Sequence, residues 1–308
     1  MSSTTNSKIH TIDLNFLGIP GVIAVFLIPH SKGAALVECG PGSTTKKLEH
    51  ELNILGYSVK DISDVFLTHI HLDHAGAAGW FARHGARIHV HPVGAPHLID
   101  PGKLLSSAER IYGDQLEFLW GEFLPVPEDH LSILADSQVV QFANHQIRPL
   151  ETPGHARHHY VYVFEDTCFS GDIAGVRLSG FDYVGLPTPP PEFHLEDWFQ
   201  SHQKLQKAYD KGIFNQIAPT HFGIFKNADL HLNNLADTLH KVEVWIENFM
   251  PSIQDFDQLS RAYSDWINTY YEAAELDAMQ IQSYEIVNPS WMSIRGIERY
   301  WKKYRIPK

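Results

Sequence analysis

Residues 68–76 read Thr-His-Ile-His-Leu-Asp-His-Ala-Gly, and they place four ligand-type side chains, His69, His71, Asp73 and His74, within six positions. Imidazole and carboxylate donors together suit Zn²⁺, with iron or manganese as alternatives. The preceding run, 64–68, is short and apolar and predicts a buried strand ending at a turn. If strand geometry continues, His69 and His71 point to one face, because side chains alternate with period two. Asp73 and His74 follow where the chain leaves the sheet, and 75–83 reads as helix. The chain holds 20 histidines in 308 residues, so a lone pair would carry no weight. An H-x-H followed at once by D-H at a strand end does carry weight.

Three further residues share that placement. His155 ends Glu-Thr-Pro-Gly-His, after a strand-like run at 146–150. Asp172 ends Cys-Phe-Ser-Gly-Asp, after runs at 160–164 and 167–169. His221 lies in Ile-Ala-Pro-Thr-His-Phe-Gly, after the apolar stretch 213–218. Each sits just past a short apolar run beside Gly or Pro, where a layered α/β fold gathers its site.

The H-x-H-x-D-H, T-P-G-H, S-G-D and P-T-H-F-G motifs, in this order, resemble those of the metallo-β-lactamase-fold hydrolase superfamily over roughly residues 9–225. The resemblance implies a four-layer αββα sandwich of two mixed sheets with helices outside, and a site along one edge. It implies that His69, His71 and His155 hold one metal ion, that Asp73, His74 and His221 hold a second, and that Asp172 bridges them. The stretch Val-Glu-Cys-Gly-Pro-Gly at 37–42 departs from the pattern, with Glu38 where the family usually has Asp. The resemblance implies that the residue at this position supports the ligands rather than binding metal, so the departure leaves metal binding expected and puts the orienting role in question.

Two such ions, about 3.5–4 Å apart, share a bridging water and bring its pKa toward neutrality. The resulting hydroxide attacks an electrophilic carbonyl or phosphorus while the metals stabilise the oxyanion. Asp73 is placed to orient the hydroxide and to pass a proton to the leaving group. Cys39 and Cys168 are not needed for this chemistry and read as small buried residues.

Composition fits a soluble enzyme with a small-molecule substrate. The hydrophobic fraction of 44% suffices for a large core, and two cysteines make no disulfide framework. No apolar stretch reaches transmembrane length. The start, Met-Ser-Ser-Thr-Thr-Asn-Ser, lacks signal-peptide regions and reads as a short disordered tail. A cytoplasmic location is expected. The formal net charge of −12 argues against a nucleic-acid partner, which needs a basic surface. The basic 301–305 segment reads as a solvated helix end.

Further elements must position these residues. Runs at 9–16, 21–29, 33–37 and 87–91 read as strands, and 46–55 as a helix with Ser43 as its N-cap. Residues 92–136 exceed a plain connection and predict two or three helical pieces that either cover the site or pack on the outer layer. The 179–192 stretch holds four prolines and Tyr183, nominated as a substrate contact in a pocket wall, with plain loop packing as the alternative. Residues 194–211 read as a helix, and helical patterns follow at 227–249, 256–276 and 291–304. The expected organisation is a catalytic domain over 1–225 and a helical extension over 226–308. The extension resembles, in architecture only, the substrate-binding helical part of glyoxalase II-type hydrolases. A homodimer surface or a scaffold cover are its other readings. His159 reads as a residue supporting the site rather than a ligand, and His89, His91 and His97 read as structural.

The leading reading is a dinuclear hydrolase of a small ester-like substrate such as a thioester or lactone. The runner-up is a mononuclear-iron persulfide dioxygenase-like oxidoreductase, using His69, His155 and Asp172. The third is a metal-binding regulatory protein without catalysis.

Overall fold

Short apolar runs in the first part of the chain become strands of one six-stranded sheet: β1 (His10–Asp13), β2 (Ala24–His30), β3 (Gly33–Val37), β4 (Ile62–Phe66), β5 (Arg87–Val90) and β6 (Leu131–Ile133), in that spatial order. The computed structural model describes residues 8–306, so the 1–7 tail expected from sequence lies outside the described residues. β1, β2 and β3 pair antiparallel, whereas β3, β4, β5 and β6 pair parallel. Parallel pairing needs a crossover between strands. The crossovers are α1 (Thr45–Ile54), the short α2 (Leu72–Ala75) with α3 (Ala78–Arg83), and then α4 (Ala95–Ile99), α5 (Gly102–Tyr112) and α6 (Leu116–Trp120). The last three are the helical pieces expected in 92–136.

A second sheet follows from β7 (Val140–Phe142), β8 (His145–Glu151), β9 (Tyr160–Phe164) and β10 (Thr167–Gly171), all antiparallel. β9 reads Tyr-Val-Tyr-Val-Phe and is buried throughout, as a strand covered on both faces must be. The sheets meet through aromatic rings. Phe26 contacts Phe169 at 5.1 Å, and Phe66 contacts Phe142 at 5.3 Å and Tyr162 at 5.5 Å between centroids. Each such ring contributes roughly 1.5–3 kcal/mol on burial.

The chain divides into two compact units. Unit 1 is 1–151 with 160–169, and unit 2 is 152–159 with 170–308. This division differs from the 225/226 boundary drawn from sequence. Unit 2 contains α7 (Leu195–Asp210), β11 (Gln216–Pro219), α8 (Ala228–Phe249), α9 (Phe256–Ala273), α10 (Ala278–Val287) and α11 (Ser290–Tyr300). Side chains start four of these helices: His194, Asn227, Asp255 and Asp277 each accept from a backbone N–H of the first turn. The basic 301–305 segment closes the chain as a π-turn, with Arg305 2.8 Å from Glu196 and Lys302 2.7 Å from Glu298.

Several boundaries depart from expectation. β4 ends at Phe66, so His69 and His71 lie on the loop beyond the strand and are not aligned by strand alternation. Ser43 does not cap α1, which starts at Thr45 after a 3-10 turn, and its hydroxyl is instead donated to the Leu119 carbonyl at 2.6 Å. α10 has no counterpart in the expected pattern. No helix among the described residues is long and apolar enough to cross a membrane.

Candidate metal centre

In unit 1 the parallel pairing of β3 with β4 sets their carboxyl ends side by side, which brings Glu38 next to Thr68. Glu38 is 1% exposed and adopts φ 65°, a left-handed conformation costing a non-glycine residue about 1–3 kcal/mol. Its carboxylate offsets this by accepting from the Thr68 N–H at 3.2 Å, from the Thr68 hydroxyl, and from His74 Nδ1 at 2.9 Å. Because the Thr68 hydroxyl donates to Glu38, its oxygen accepts from His69 Nδ1, 3.0 Å away. One carboxylate thus fixes two imidazoles with their Nδ1 protons committed and their Nε2 atoms turned outward. His69 Nε2 lies 2.9 Å from His71 Nδ1, and His74 Nε2 lies 3.6 Å from Asp73 Oδ2. Ligand atoms of Glu38, His69 and His74 all fall within 4.8 Å of one another. Glu38 therefore sets how the rings of His69 and His74 are turned.

In unit 2 the T-P-G-H turn packs on α7. Gly154 takes φ 139°, and a Cβ there would lie 2.5 Å from Trp198 Cα, so only glycine fits. His155 Nδ1 donates to the Pro187 carbonyl at 2.8 Å. Its Nε2 lies 3.4 Å from Asp172 Oδ2, and Asp172 Oδ1 lies 3.4 Å from His221 Nε2. All three residues are at most 4% exposed. The Asp172 N–H donates to His159 Nε2 at 3.2 Å, so the His159 proton sits on Nδ1, facing Thr152 Oγ1 at 3.0 Å. His159 thus holds the Asp172 backbone.

The donor chemistry of both sets fits divalent metal. In each unit an imidazole whose Nδ1 proton is already given away turns Nε2 toward a carboxylate oxygen 3.4–3.6 Å off. Two lone pairs facing each other in a buried place repel unless a proton or a cation lies between them. Asp172 presents a different oxygen to each of two histidines. In unit 1, Glu38, His69 and His74 could hold metal through imidazole nitrogen and carboxylate oxygen.

The other nominated residues fall as follows. Tyr183 packs its ring on the helices, at 6.3 Å from Tyr270, 5.7 Å from Tyr271 and 5.2 Å from Tyr284. Burial holds its phenol well above the usual tyrosine range. Tyr183 lines a small cavity of about 30 Å³. Cys39 and Cys168 are buried, and burial raises both thiols. His89 pairs with Asp64 at 2.7 Å and His91 with Glu151 at 3.2 Å. Two residues escape sequence inspection. Thr68 is a relay whose hydroxyl gives no pattern signal. Tyr112 of α5 has its phenol raised by burial and then by the charge of Asp73, which places the insert near that carboxylate.

A metallo-beta-lactamase fold-containing protein of Sulfurisphaera tokodaii is 26% identical over 198 residues, 63% of this chain and 71% of that protein. A hydroxyacylglutathione hydrolase of a Shewanella species is 30% identical over 41% of this chain and 45% of its own length. An acyl-coenzyme A thioesterase of Gallus gallus is 24% identical over 51% and 56%. The chain thus spans about half the length of these two relatives. A solved archaeal metallo-beta-lactamase superfamily structure from Sulfolobus tokodaii superposes with a TM-score of 0.66 at 18% identity, covering 94% of this chain and 98% of that one, and so shares the fold. The sequence profile of the metallo-beta-lactamase superfamily matches residues 18–211, and the chain belongs to that superfamily.

Proposed function

We propose that this protein is a metal-dependent hydrolase of a small thioester or related ester. The observation that carries the reading is the buried imidazole nitrogen turned on a carboxylate in both units. Two relatives, a hydroxyacylglutathione hydrolase and an acyl-coenzyme A thioesterase, both take thioesters by name and support the substrate class. In this reading His69, His71 and His155 hold one divalent ion, Asp73, His74 and His221 hold another, and Asp172 is shared. Zinc suits the donors best. Residues 1–225 carry the reaction, and 226–308 brace it.

Bound metal supplies Lewis acidity, which lowers the pKa of water and polarises the carbonyl. The chain's own residues do the rest. Asp73 is the least buried carboxylate of its set, at 19% side-chain exposure, and can meet both water and substrate. It accepts the proton of the attacking water and delivers it to the sulfur as the carbon–sulfur bond breaks, leaving a carboxylate and a thiol. Glu38 and Thr68 hold the imidazoles still meanwhile.

The test combines metal content with turnover. Protein purified without chelator is expected to carry two equivalents of divalent metal and to release thiol from acyl-CoA or hydroxyacylglutathione. Asp73→Asn is expected to lower turnover by about 10²–10⁴-fold. No turnover across thioester, lactone and phosphoester panels in metal-loaded protein would sink the reading. A single retained iron with oxygen uptake on a persulfide would replace it with an oxidoreductase.

A further inference from the structure

The three candidate ligands of unit 2 are tied together by one segment of chain. Residues 172–191 begin with Asp172 itself. Arg177 then pairs its backbone around His221: the Arg177 N–H donates to the His221 carbonyl at 2.6 Å, and the Phe222 N–H returns to the Arg177 carbonyl at 2.9 Å. Ten residues on, Pro187 supplies the carbonyl that takes the His155 Nδ1 proton. The segment folds back on itself through a two-way Val176–Gly185 bridge. Where its two limbs sit therefore sets where His155 and His221 sit relative to Asp172.

The C-terminal helices grip this segment. From α8, Asn234 donates to the Asp182 carbonyl at 2.9 Å and Thr238 to the Val184 carbonyl at 2.9 Å. From α11, the Ser293 carbonyl accepts from the Thr188 hydroxyl at 3.1 Å, and a Cβ on Gly296 would lie 1.8 Å from the Thr188 carbonyl. α10 supplies the group that touches both limbs. The Tyr284 hydroxyl accepts from the Leu178 N–H at 3.2 Å and donates to the Tyr183 carbonyl at 3.0 Å. Leu178 adjoins the residue that pairs with His221, while Tyr183 leads into the limb that holds His155. Tyr284 is fully buried, so water cannot replace either bond.

We infer that Tyr284 is a positioning residue for the metal centre, its hydroxyl clamping the two limbs of 172–191 so that His155 and His221 stay aimed at Asp172. The inference rests on the metal-binding reading of those three residues. It assigns the helical extension a task other than substrate contact. Outer hydrogen-bond partners of metal ligands typically change metal affinity by about 10–100-fold when removed. Tyr284 acts one backbone link further out, so the lower end applies.

Tyr284→Phe removes the hydroxyl and keeps the ring against Tyr183 and Tyr271. Zinc affinity, by competition with a chelating dye, is expected to fall roughly tenfold. In the metal-free protein, the His155 Nδ1–H resonance and the ring nitrogen shifts of His155 and His221 are expected to move. A role confined to packing would lower the melting temperature and leave those signals in place. Thr238→Val, which loses the Val184 contact and a bond to the Asn234 carbonyl within α8, should give a smaller shift of the same kind and stands in if the Phe variant does not fold. Unchanged ring signals and unchanged zinc affinity in a folded variant would overturn the inference. If the wild type itself binds no zinc, the metal reading fails, and the metal-free ring signals still decide whether Tyr284 positions the histidines.

Discussion

The two imidazole sets are held by opposite means. In unit 1 a charged side chain does the holding, as Glu38 takes the His74 proton directly and the His69 proton through Thr68. In unit 2 neutral backbone holds His155, whose Nδ1–H is accepted by the Pro187 carbonyl, and likewise the structural His231, whose ring donates to the Ala174 carbonyl. A carboxylate pushes electron density through the ring and makes the far nitrogen a stronger donor, whereas a carbonyl mainly fixes its direction. Unit 1 should therefore answer to changes of charge, and unit 2 to changes in the position of its chain.

The largest effect expected from this contrast is in acid. Burial, and secondarily the charge of Arg177, lower the pKa of His231 from 6.5 to about 4, although its bond to Ala174 opposes this. No carboxylate is among the groups acting on it. The folded pKa lies below the unfolded one, so the unfolded chain binds the extra proton between them. The stabilisation is complete above pH 6.5, shrinks as pH falls, and is gone below about 4. A shift of this size corresponds to on the order of 3 kcal/mol between pH 7 and pH 4. Urea unfolding of wild type and His231→Gln at both pH values measures it, since glutamine can donate the same bond without titrating. Equal losses in the two proteins would show that unit 2 is not limited by its neutral histidine.

Next in size is the charge in unit 1. Glu38→Gln keeps the shape and removes the anion, leaving an amide that cannot accept all three bonds at one carboxylate. Metal affinity is expected to drop about 10–100-fold, on the order of 2 kcal/mol. Titration of the variant with zinc under a competing chelator reads it. An affinity within twofold of wild type would mean that unit 1, like unit 2, is organised by geometry alone.

Much of this was visible in the sequence because ligand residues sit just past apolar runs that can only be strands. His69 lies beside His71 and His74 beside Asp73 within unit 1, and Asp172 lies between His155 and His221 within unit 2. What holds them was less visible. Glu38 reads as a departure from the family pattern until its longer side chain is seen reaching both Thr68 and His74. Tyr183 looked available because loop aromatics often are, yet its ring completes a tyrosine cluster with α9 and α10. α10 itself shows little amphipathic periodicity, and only its Asp277–Gln280 capping box marks where it starts. Tertiary contacts between segments a hundred residues apart, such as Tyr284 with Tyr183, leave no local signature.

The smallest effect sharpens the contrast from the other side. Cys39 follows Glu38 and also touches the ligand loop, since its backbone N–H donates to the His74 carbonyl at 2.9 Å and its thiol to the same oxygen at 3.2 Å. If backbone geometry organised unit 1, that contact would matter as the Pro187 contact does in unit 2. Cys39→Ala removes the weak thiol bond and keeps the backbone one, so the carbonyl stays satisfied. A stability loss of about 1 kcal/mol is expected from the small volume removed, with metal affinity unchanged within about twofold. A drop matching that of Glu38→Gln would locate the organising contact at the His74 backbone, and unit 1 would then work by the same means as unit 2.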